Sequence, residues 1–556
     1  MRGGHLPSHH CARTCHLSSN HLECASALPT AGTGGPIFGL TALTAFNTAL
    51  ATAYFALGFV WTLAAARRRR STAALPGMLT TAQGALHSPP ALAVVLPVKG
   101  AHPQSASNWR AQLTQHGYSG HVTFVFVVQE LSDPAYVLIK QLQAQGSLPI
   151  KGVKVLVAGL ARNTSQKLHN MIYAIERVDE TAELVLMLDD DMLMAPGAID
   201  LMAYELRADA SLLAASGFSC DVPGSSTVAA HAACIFRLLL EVSISSGRST
   251  SAWGGCCMMR RAHLLGSVPD GVMQHWKDDG YSDDWIITQV ARRHNRRISN
   301  PPLLFLNLVE FNTLKQVYNF LHRQFFVLDT YVRPPPGESS LPWVDPHRRE
   351  SYLLALAMAA GGLLFALAPP MFFSQLASLY TTQWAANESW PVRLARPEVL
   401  TFLACFGLAA PFALSGGRAL VRAQAGLIST LSPAGGERMR QEGAWSNLLA
   451  PIGFHLYTAM CPFFVVHGIL GSTVVWSGAQ YHKLNGRVAR IQRPRQSPLK
   501  SISPPLKKGD GSAPSAIEKT ADVLSGLASS RASHPTKPWR RVRTGGLRPR
   551  SSLRPT

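Results

Sequence analysis

Glu183-Leu184-Val185-Leu186-Met187-Leu188-Asp189-Asp190-Asp191 (ELVLMLDDD, 183–191) sets five apolar residues directly before three aspartates. An uninterrupted apolar run of this length predicts a strand buried on both faces, as inner strands of parallel sheets are. Carboxylates cannot enter that interior without partners, so the strand should end at Leu188 and present the aspartates at the edge of the sheet. Alternate side chains of an extended chain share a face, which turns Asp189 and Asp191 together and Asp190 away. Two converging carboxylates suit a hard divalent cation, Mg2+ or Mn2+, that also takes phosphate oxygens. A solvated turn or a helix cap is the plainer use of the same residues.

Three more runs of strand length precede it: ALAVVLPV (91–98), HVTFVFVV (121–128) and GVKVLVA (152–158). Amphipathic segments such as Lys167 to Val178 lie between them. Strands alternating with helices predict an α/β domain with a mainly parallel, Rossmann-like sheet, placed at residues 71–345. Ligands of such sheets bind beyond the carboxyl ends of the strands. Asp133, in Gln129-Glu130-Leu131-Ser132-Asp133-Pro134, follows the second strand and is placed to hold the nucleoside of a donor. Asp283-Asp284-Trp285, well past the triple aspartate, offers a general base to an acceptor hydroxyl within hydrogen-bond reach. Asp-Pro also reads as a turn, and Asp-Asp as a helix cap.

Both flanks of this domain are apolar. Residues 37–66 carry no charge and are long enough to span a bilayer as a signal anchor; Arg67, Arg68, Arg69 and Arg70 follow, which places them and the next domain in the cytosol. After Pro346, residues 351–373, 399–414 and 448–476 form a C-terminal membrane region (351–476) of about three apolar segments, the last either one crossing or a re-entrant hairpin. Asn387-Glu388-Ser389 is a glycosylation acceptor if lumenal, and Arg418, Arg422, Arg438 and Arg440 favour the cytosol, so both signs agree with a cytosolic active site.

The composition fits this mixture. Only 15% of the 556 residues are charged, below the ~25% usual for soluble domains, while 47% are hydrophobic and the mean hydropathy is +0.08. These values exclude a wholly disordered chain, a collagen-like fibre and a small disulfide scaffold, and they argue against a transporter filling the whole length. The net charge of +20 is concentrated: residues 477–556 hold 17 Lys+Arg against 3 Asp+Glu. That basic tail, rich in Pro, Ser and Arg, predicts disorder, and no nucleic-acid partner is expected for the folded part. Residues 1–36, with Cys11, Cys15 and Cys24 among several histidines, fit no standard zinc spacing and read as a disordered or processed leader.

The motifs taken in order resemble the ceramide glucosyltransferases, inverting transferases of GT-A fold related to processive polysaccharide synthases. LPVKG (96–100), VVQELSDPA (127–135), NTSQKLHNM (163–171), LDDDM (188–192), SAWGGCCMMRR (251–261) and SDDW (282–285) carry the resemblance over residues 96–331. The departure is at the fourth motif, usually (Q/R)xxRW: Arg323 is kept, but Phe320 and Gln324 stand where the family has Gln/Arg and Trp. The run FLHRQFFVLDTY resembles plant-type members.

The resemblance implies glucose transfer from UDP-glucose to the primary hydroxyl of ceramide, with inversion, on a multi-pass Golgi or endoplasmic reticulum membrane. It implies Asp284 as catalytic base and Arg323 as the group stabilising the diphosphate. It casts Lys99, Asp133, Lys167, Asn170 and Asp189 as donor-binding, with Asp189 and Asp191 on the cation. The rival enzymatic reading, a cellulose- or hyaluronan-type synthase, normally shows an intact QxxRW and more membrane helices; another lipid acceptor is a closer variant. A cation-binding transporter or scaffold would need carboxylates inside the apolar runs, which have none. Cys256-Cys257 and the neighbouring methionines read as packing, and Asn163-Thr164-Ser165 would stay unglycosylated in the cytosol. Arg292, Arg293, Arg296 and Arg297 read as a solvated helix face or as contacts to anionic headgroups.

Overall fold

The structure, a computed structural model, describes residues 35–493 apart from 103–104, 115–116, 150, 193, 267–270, 333–340, 342–343, 386–389, 433–434, 438 and 440–448. The cysteine- and histidine-rich leader, Asn387-Glu388-Ser389 and everything after Arg493 lie outside the described residues.

The first four strands fall where the apolar runs place them: β1 Leu92–Pro97, β2 Val122–Val128, β3 Val153–Val157 and β4 Leu184–Leu188. They pair in parallel in the order β3-β2-β1-β4. Their helices are α1 Gly35–Ala85, α2 Ser105–Thr114, α3 Pro134–Ala144 and α4 Gln166–Ile175. Side chains alternate between two cores. Leu184, Leu186 and Leu188 of β4 join α1 and α2 on one face, while Val185 and Met187 meet α4 on the other. Every β4 residue is buried, each contributing about 1.5–3 kcal/mol of apolar transfer.

Beyond β4 the sheet departs from simple alternation. After α5 Ala198–Ala208 come β5 Leu212–Ser216, β6 Phe218–Pro223, α6 Val228–Ile244, β7 Arg248–Ser249 and β8 Cys256–Arg260. Strand β8 inserts antiparallel between β4 and β5. Next follow α7 Arg261–Leu265, α8 Met273–Lys277, α9 Asp283–Arg293, β9 Arg297–Ser299, β10 Leu304–Val309 and α10 Leu314–Leu328. The main sheet thus has eight strands in the order β3-β2-β1-β4-β8-β5-β9-β7, with β6 and β10 paired separately.

The C-terminal helices are α11 Pro346–Ala366, α12 Ala368–Ala385, α13 Trp390–Leu394, α14 Pro397–Phe402, α15 Ala410–Leu431 and α16 Leu449–Leu470, with a π-helical stretch Leu403–Ala409 before α15. Among the described residues four helical stretches, Ala42–Ala85, Arg348–Ser378, Pro397–Leu431 and Leu449–Leu470, are long and apolar enough to cross a membrane.

Two expectations are corrected. Helix α1 does not end with the anchor at Ala66: it runs through the four arginines to Ala85, because Leu75 and Ala82 extend its apolar stripe into the core under the sheet. Within that helix Arg68 is buried and paired with the equally buried Glu241 of α6. The tail does not begin at Ser477: β11 Thr473–Trp476, β12 Ala479–Leu484 and β13 Arg487–Gln492 form an antiparallel sheet, and α16 stops at Leu470. Ser477-Gly478 and Asn485-Gly486 are the reason. All four residues have positive φ (50°, 76°, 49° and 72°), the conformation of two-residue hairpin turns that match strand twist.

Candidate active site

Lys167 ties three distant segments together. Ser165 caps α4 by accepting from Leu168 N, which puts Lys167 in the first turn. Its ammonium lies 2.8 Å from Asp189 Oδ1, 3.0 Å from Asp283 Oδ2 and 3.0 Å from the Gly254 carbonyl oxygen. Burial alone would lower its pKa, but Asp189 and Asp283 outweigh that and hold it above the ordinary lysine value. The expected donor-site lysine is thus engaged with carboxylates.

Gly254 is the second junction. Its N–H donates to Asp284 Oδ2 at 3.1 Å while its carbonyl takes Lys167. The neighbouring Gly255 carbonyl accepts from Asp189 N at 2.9 Å. A Cβ at position 254 would come within 2.7 Å of Asp283 Oδ2, so a side chain there would push that carboxylate off its place beside Lys167.

Asp283 and Asp284 open α9, where Ser282 caps the helix and acidic groups meet the positive end of its dipole. Burial, with Asp284 and Asp189 nearby, pushes Asp283 above the usual carboxylate range against the pull of Lys167. Asp284 Oδ1 accepts from Trp285 N at 2.7 Å and from the Ser282 hydroxyl. An ionised carboxylate has about four acceptor positions, so three donors fix Asp284 and leave room for one more.

The loop after β4 is held from α2: Gln112 Nε2 donates to the Asp189 carbonyl at 3.3 Å, and Asn108 Nδ2 to the Asp191 carbonyl at 3.3 Å. Asp190 is pushed up to about 7 by burial and by the charges of Asp191 and Asp189. Asp191, whose outer face is exposed, is raised as well, by partial loss of water and by Asp189. Among the described residues no three His, Cys, Asp or Glu side chains converge on a metal position. Asp189 and Asp191 are nonetheless hard oxygen donors, and with Asp190 they outnumber the one ammonium, Lys167, that pairs with Asp189. That suits Mg2+ or Mn2+ held by one or two carboxylates, with phosphate oxygens completing the shell.

Lys167, Asp189, Asp283 and Asp284 line one end of a cavity of about 580 Å³. Arg323 of α10 faces the same space, with Trp476 and Phe320 rings 5.5 Å and 5.9 Å from its guanidinium carbon. Burial lowers its pKa, countered by Tyr281. Trp476 is brought to Arg323 by β11. Elsewhere the walls are largely apolar, with Leu240 and Ile244 of α6, Phe325 and Leu328 of α10 and Leu354 and Met358 of α11, interrupted by Arg237, Arg292, Glu350 and Ser351.

Of the other residues singled out, Lys99, Asp133 and Asn170 cluster near the ends of β1 and β2 without lining this cavity. Lys99 Nζ reaches the Ser477 carbonyl. Asp133 Oδ1 caps α3 through Ala135 N (2.9 Å) and also accepts from Gly100 N (2.8 Å). Asn170 is buried, accepting from Gln166 Nε2 at 2.9 Å. Sequence reading missed Arg237, which lines the cavity from α6 beside Asp221 (Nε to Oδ2, 3.7 Å). Its signal was there: Arg237 and Glu241 are charges four apart in an otherwise apolar helix.

Residues 46–266 match the family model Glycosyl transferase family 21, and this match supports glycosyl transfer. It includes Lys167, Asp189 and Gly254 and stops before Asp284 and Arg323. No curated protein matches the chain. Solved structures that it resembles include the mannosyltransferase PcManGT from Pyrobaculum calidifontis in complex with GDP-Man and Mn2+, at 16% identity over 65% of this chain and 97% of that one, TM-score 0.37. A mycobacterial protein is similar at 11% identity over 45% and 76%, TM-score 0.28. So is 4-diphosphocytidyl-2C-methyl-D-erythritol synthase from Anaerococcus prevotii, at 8% over 41% and 93%, TM-score 0.25.

Proposed function

We propose that the chain is a membrane-anchored, inverting GT-A glucosyltransferase that moves glucose from UDP-glucose to the primary hydroxyl of ceramide, with its site facing the cytosol of the Golgi or endoplasmic reticulum. The observation that carries this is one cavity that joins the Asp189, Asp283 and Asp284 carboxylates to largely apolar walls from α6, α10 and α11. A lipid whose hydroxyl must reach a base while its chains stay in an apolar medium needs that gradient.

Asp284, fixed by Gly254 N, Trp285 N and Ser282, would take the proton of the acceptor hydroxyl as that oxygen attacks the anomeric carbon. Arg323, seated against Trp476, would pair with the departing diphosphate. Asp189 and Asp191 would hold the divalent cation, which supplies charge neutralisation to the leaving group. Lys167 would orient Asp189 and Asp283 rather than touch the donor. Lys99 and Asp133, at the ends of β1 and β2, would bound the nucleoside position, with Asn170 buttressing them from below. The apolar walls exclude water, which would otherwise compete as acceptor.

The test uses the full chain in microsomes, labelled UDP-sugars in parallel, and separation of labelled lipid from polymer. Label in glucosylceramide from UDP-glucose is expected, and Asp284→Asn should lower it roughly 10²–10⁴-fold while UDP-glucose still binds. Label confined to polymer, or undiminished turnover in that variant, would sink the assignment.

A further inference from the structure

A second cavity, of about 290 Å³, lies on the other face of α6 from the catalytic one, among α1, α15 and α16. Ile235 and Leu238 of α6 line it, whereas Phe236, Arg237 and Leu240 of that helix line the catalytic cavity. Tyr54 and Trp61 of α1 and Phe454 of α16 complete an apolar slot with no carboxylate in its walls among the described residues. Trp61 is only 4% exposed, and its indole N–H has no acceptor among the described residues.

One end of this slot is cationic. Arg418 and Arg422, a turn apart on α15, both line it and both are exposed. Neither makes an ion pair among the described residues. Helices α1 and α15 run side by side in the same direction: Gly58 abuts Phe412 and Ala413, Gly417 abuts Trp61, and Leu75 shares a core with Leu427 and Ile428. That pairing brings Arg418 and Arg422 close to the level where α1 carries Arg67, Arg69 and Arg70. Among the described residues, Arg68 is the member of this collar that has a carboxylate partner, Glu241.

We propose that the slot is a binding site for an anionic phospholipid, separate from the acceptor cavity. One acyl chain lies between α1, α6 and α16, and the phosphate rests on Arg418 and Arg422. An apolar slot demands a chain, and two unpaired guanidinium groups at its mouth demand phosphate oxygens, which they match in geometry as well as charge. Basic pockets between membrane helices at headgroup level are suited to anionic lipids in this way. A lipid without phosphate would fill the slot and leave both arginines unpaired, and a zwitterionic headgroup would bring its own cation beside them, so a net negative headgroup is favoured.

The full chain, reconstituted with phosphatidylcholine with and without phosphatidylglycerol and then extracted, is assayed by mass spectrometry for retained lipid. Wild-type protein should retain phosphatidylglycerol selectively. The double variant Arg418→Gln/Arg422→Gln should bind it roughly 30-fold more weakly, at about 1 kcal/mol per arginine. Ala450→Leu, which fills the slot and leaves both arginines, should also lower retention. The exposed pair Arg69→Gln/Arg70→Gln should not. Equal retention in wild type and the Arg418/Arg422 variant overturns the proposal. So does an equal fall in the Arg69/Arg70 control, which would mean diffuse attraction to the basic collar. If the double variant fails to fold, undiminished selectivity in Ala450→Leu overturns it.

Discussion

The two ends of the catalytic cavity are built on opposite principles. At the carboxylate end each group is held by bonds from segments far apart in the chain: Lys167 by Asp189, Asp283 and Gly254, and Asp284 by Gly254, Ser282 and Trp285. At the apolar end Leu240, Leu354 and Met358 contribute area and no directed bond. Directional networks fail when one member is lost, whereas apolar walls lose affinity in proportion to area. Substitutions at one end should therefore be nearly all-or-none for turnover, and at the other graded in acceptor affinity.

The largest effect expected is at Lys167. Lys167→Met leaves Asp189 and Asp283 facing each other without a cation, which should cost about 3 kcal/mol in chemical unfolding at pH 8 and abolish transfer. The sign follows from Asp283: its folded pKa is already raised, so burial favours the protonated acid, and the stability this gives is lost as pH rises through that raised value. The variant's deficit should accordingly shrink as pH falls towards 5; a deficit constant with pH would break the account. Next is Gly254→Ala, whose methyl would stand 2.7 Å from Asp283 Oδ2. A roughly 10–100-fold fall in kcat with little change in acceptor KM is expected, and wild-type kcat would show that the junction is not rigid.

At the apolar end, Leu354→Ser should raise acceptor KM about 3–10-fold and leave donor KM alone. An equal effect on the donor would erase the distinction between the two ends. The smallest effect concerns His322, stacked on His467 with ring centroids 3.9 Å apart, and lowered to about 4 by burial and by His467. A depressed histidine stabilises the fold above its ordinary value and loses that contribution as pH falls through the folded one. His322→Gln should flatten the loss of thermal stability between pH 6.5 and 4; an unchanged slope would rule out His322 as its source.

The sequence made some of this legible and hid the rest for identifiable reasons. Strands β1 to β4 are apolar runs with clear ends, and the residues after β4 carry their chemistry at the edge where strands must stop. Strand β8 was masked because Cys256-Cys257-Met258-Met259 reads equally as pocket lining or core, and nothing local says that it pairs antiparallel between β4 and β5. The partners of Lys167 span residues 189, 254 and 283, a convergence that no single-window pattern contains. The C-terminal sheet was overlooked because composition outweighed turn chemistry: Asn485-Gly486 between alternating residues was a hairpin signal inside a basic stretch. Arg68 was read by its charged neighbours, but its fate was set by Glu241 across the fold.

That C-terminal sheet also imposes an order in time. The Tyr481 hydroxyl accepts from Gln166 N at 3.2 Å, Arg493 Nη2 donates to the Ala161 carbonyl at 3.0 Å, and Lys483 Nζ lies 2.9 Å from Asp329 Oδ2. Chains are made from the N-terminus, so the ring beside Arg323 and the brace on α4 are synthesised only after the last apolar helix. A nascent chain whose helices are not yet in place holds its carboxylates in a cavity still missing Trp476. Assembly of the membrane region and completion of the catalytic wall are in this way a single event, and a molecule interrupted before residue 473 is left without its finished cavity.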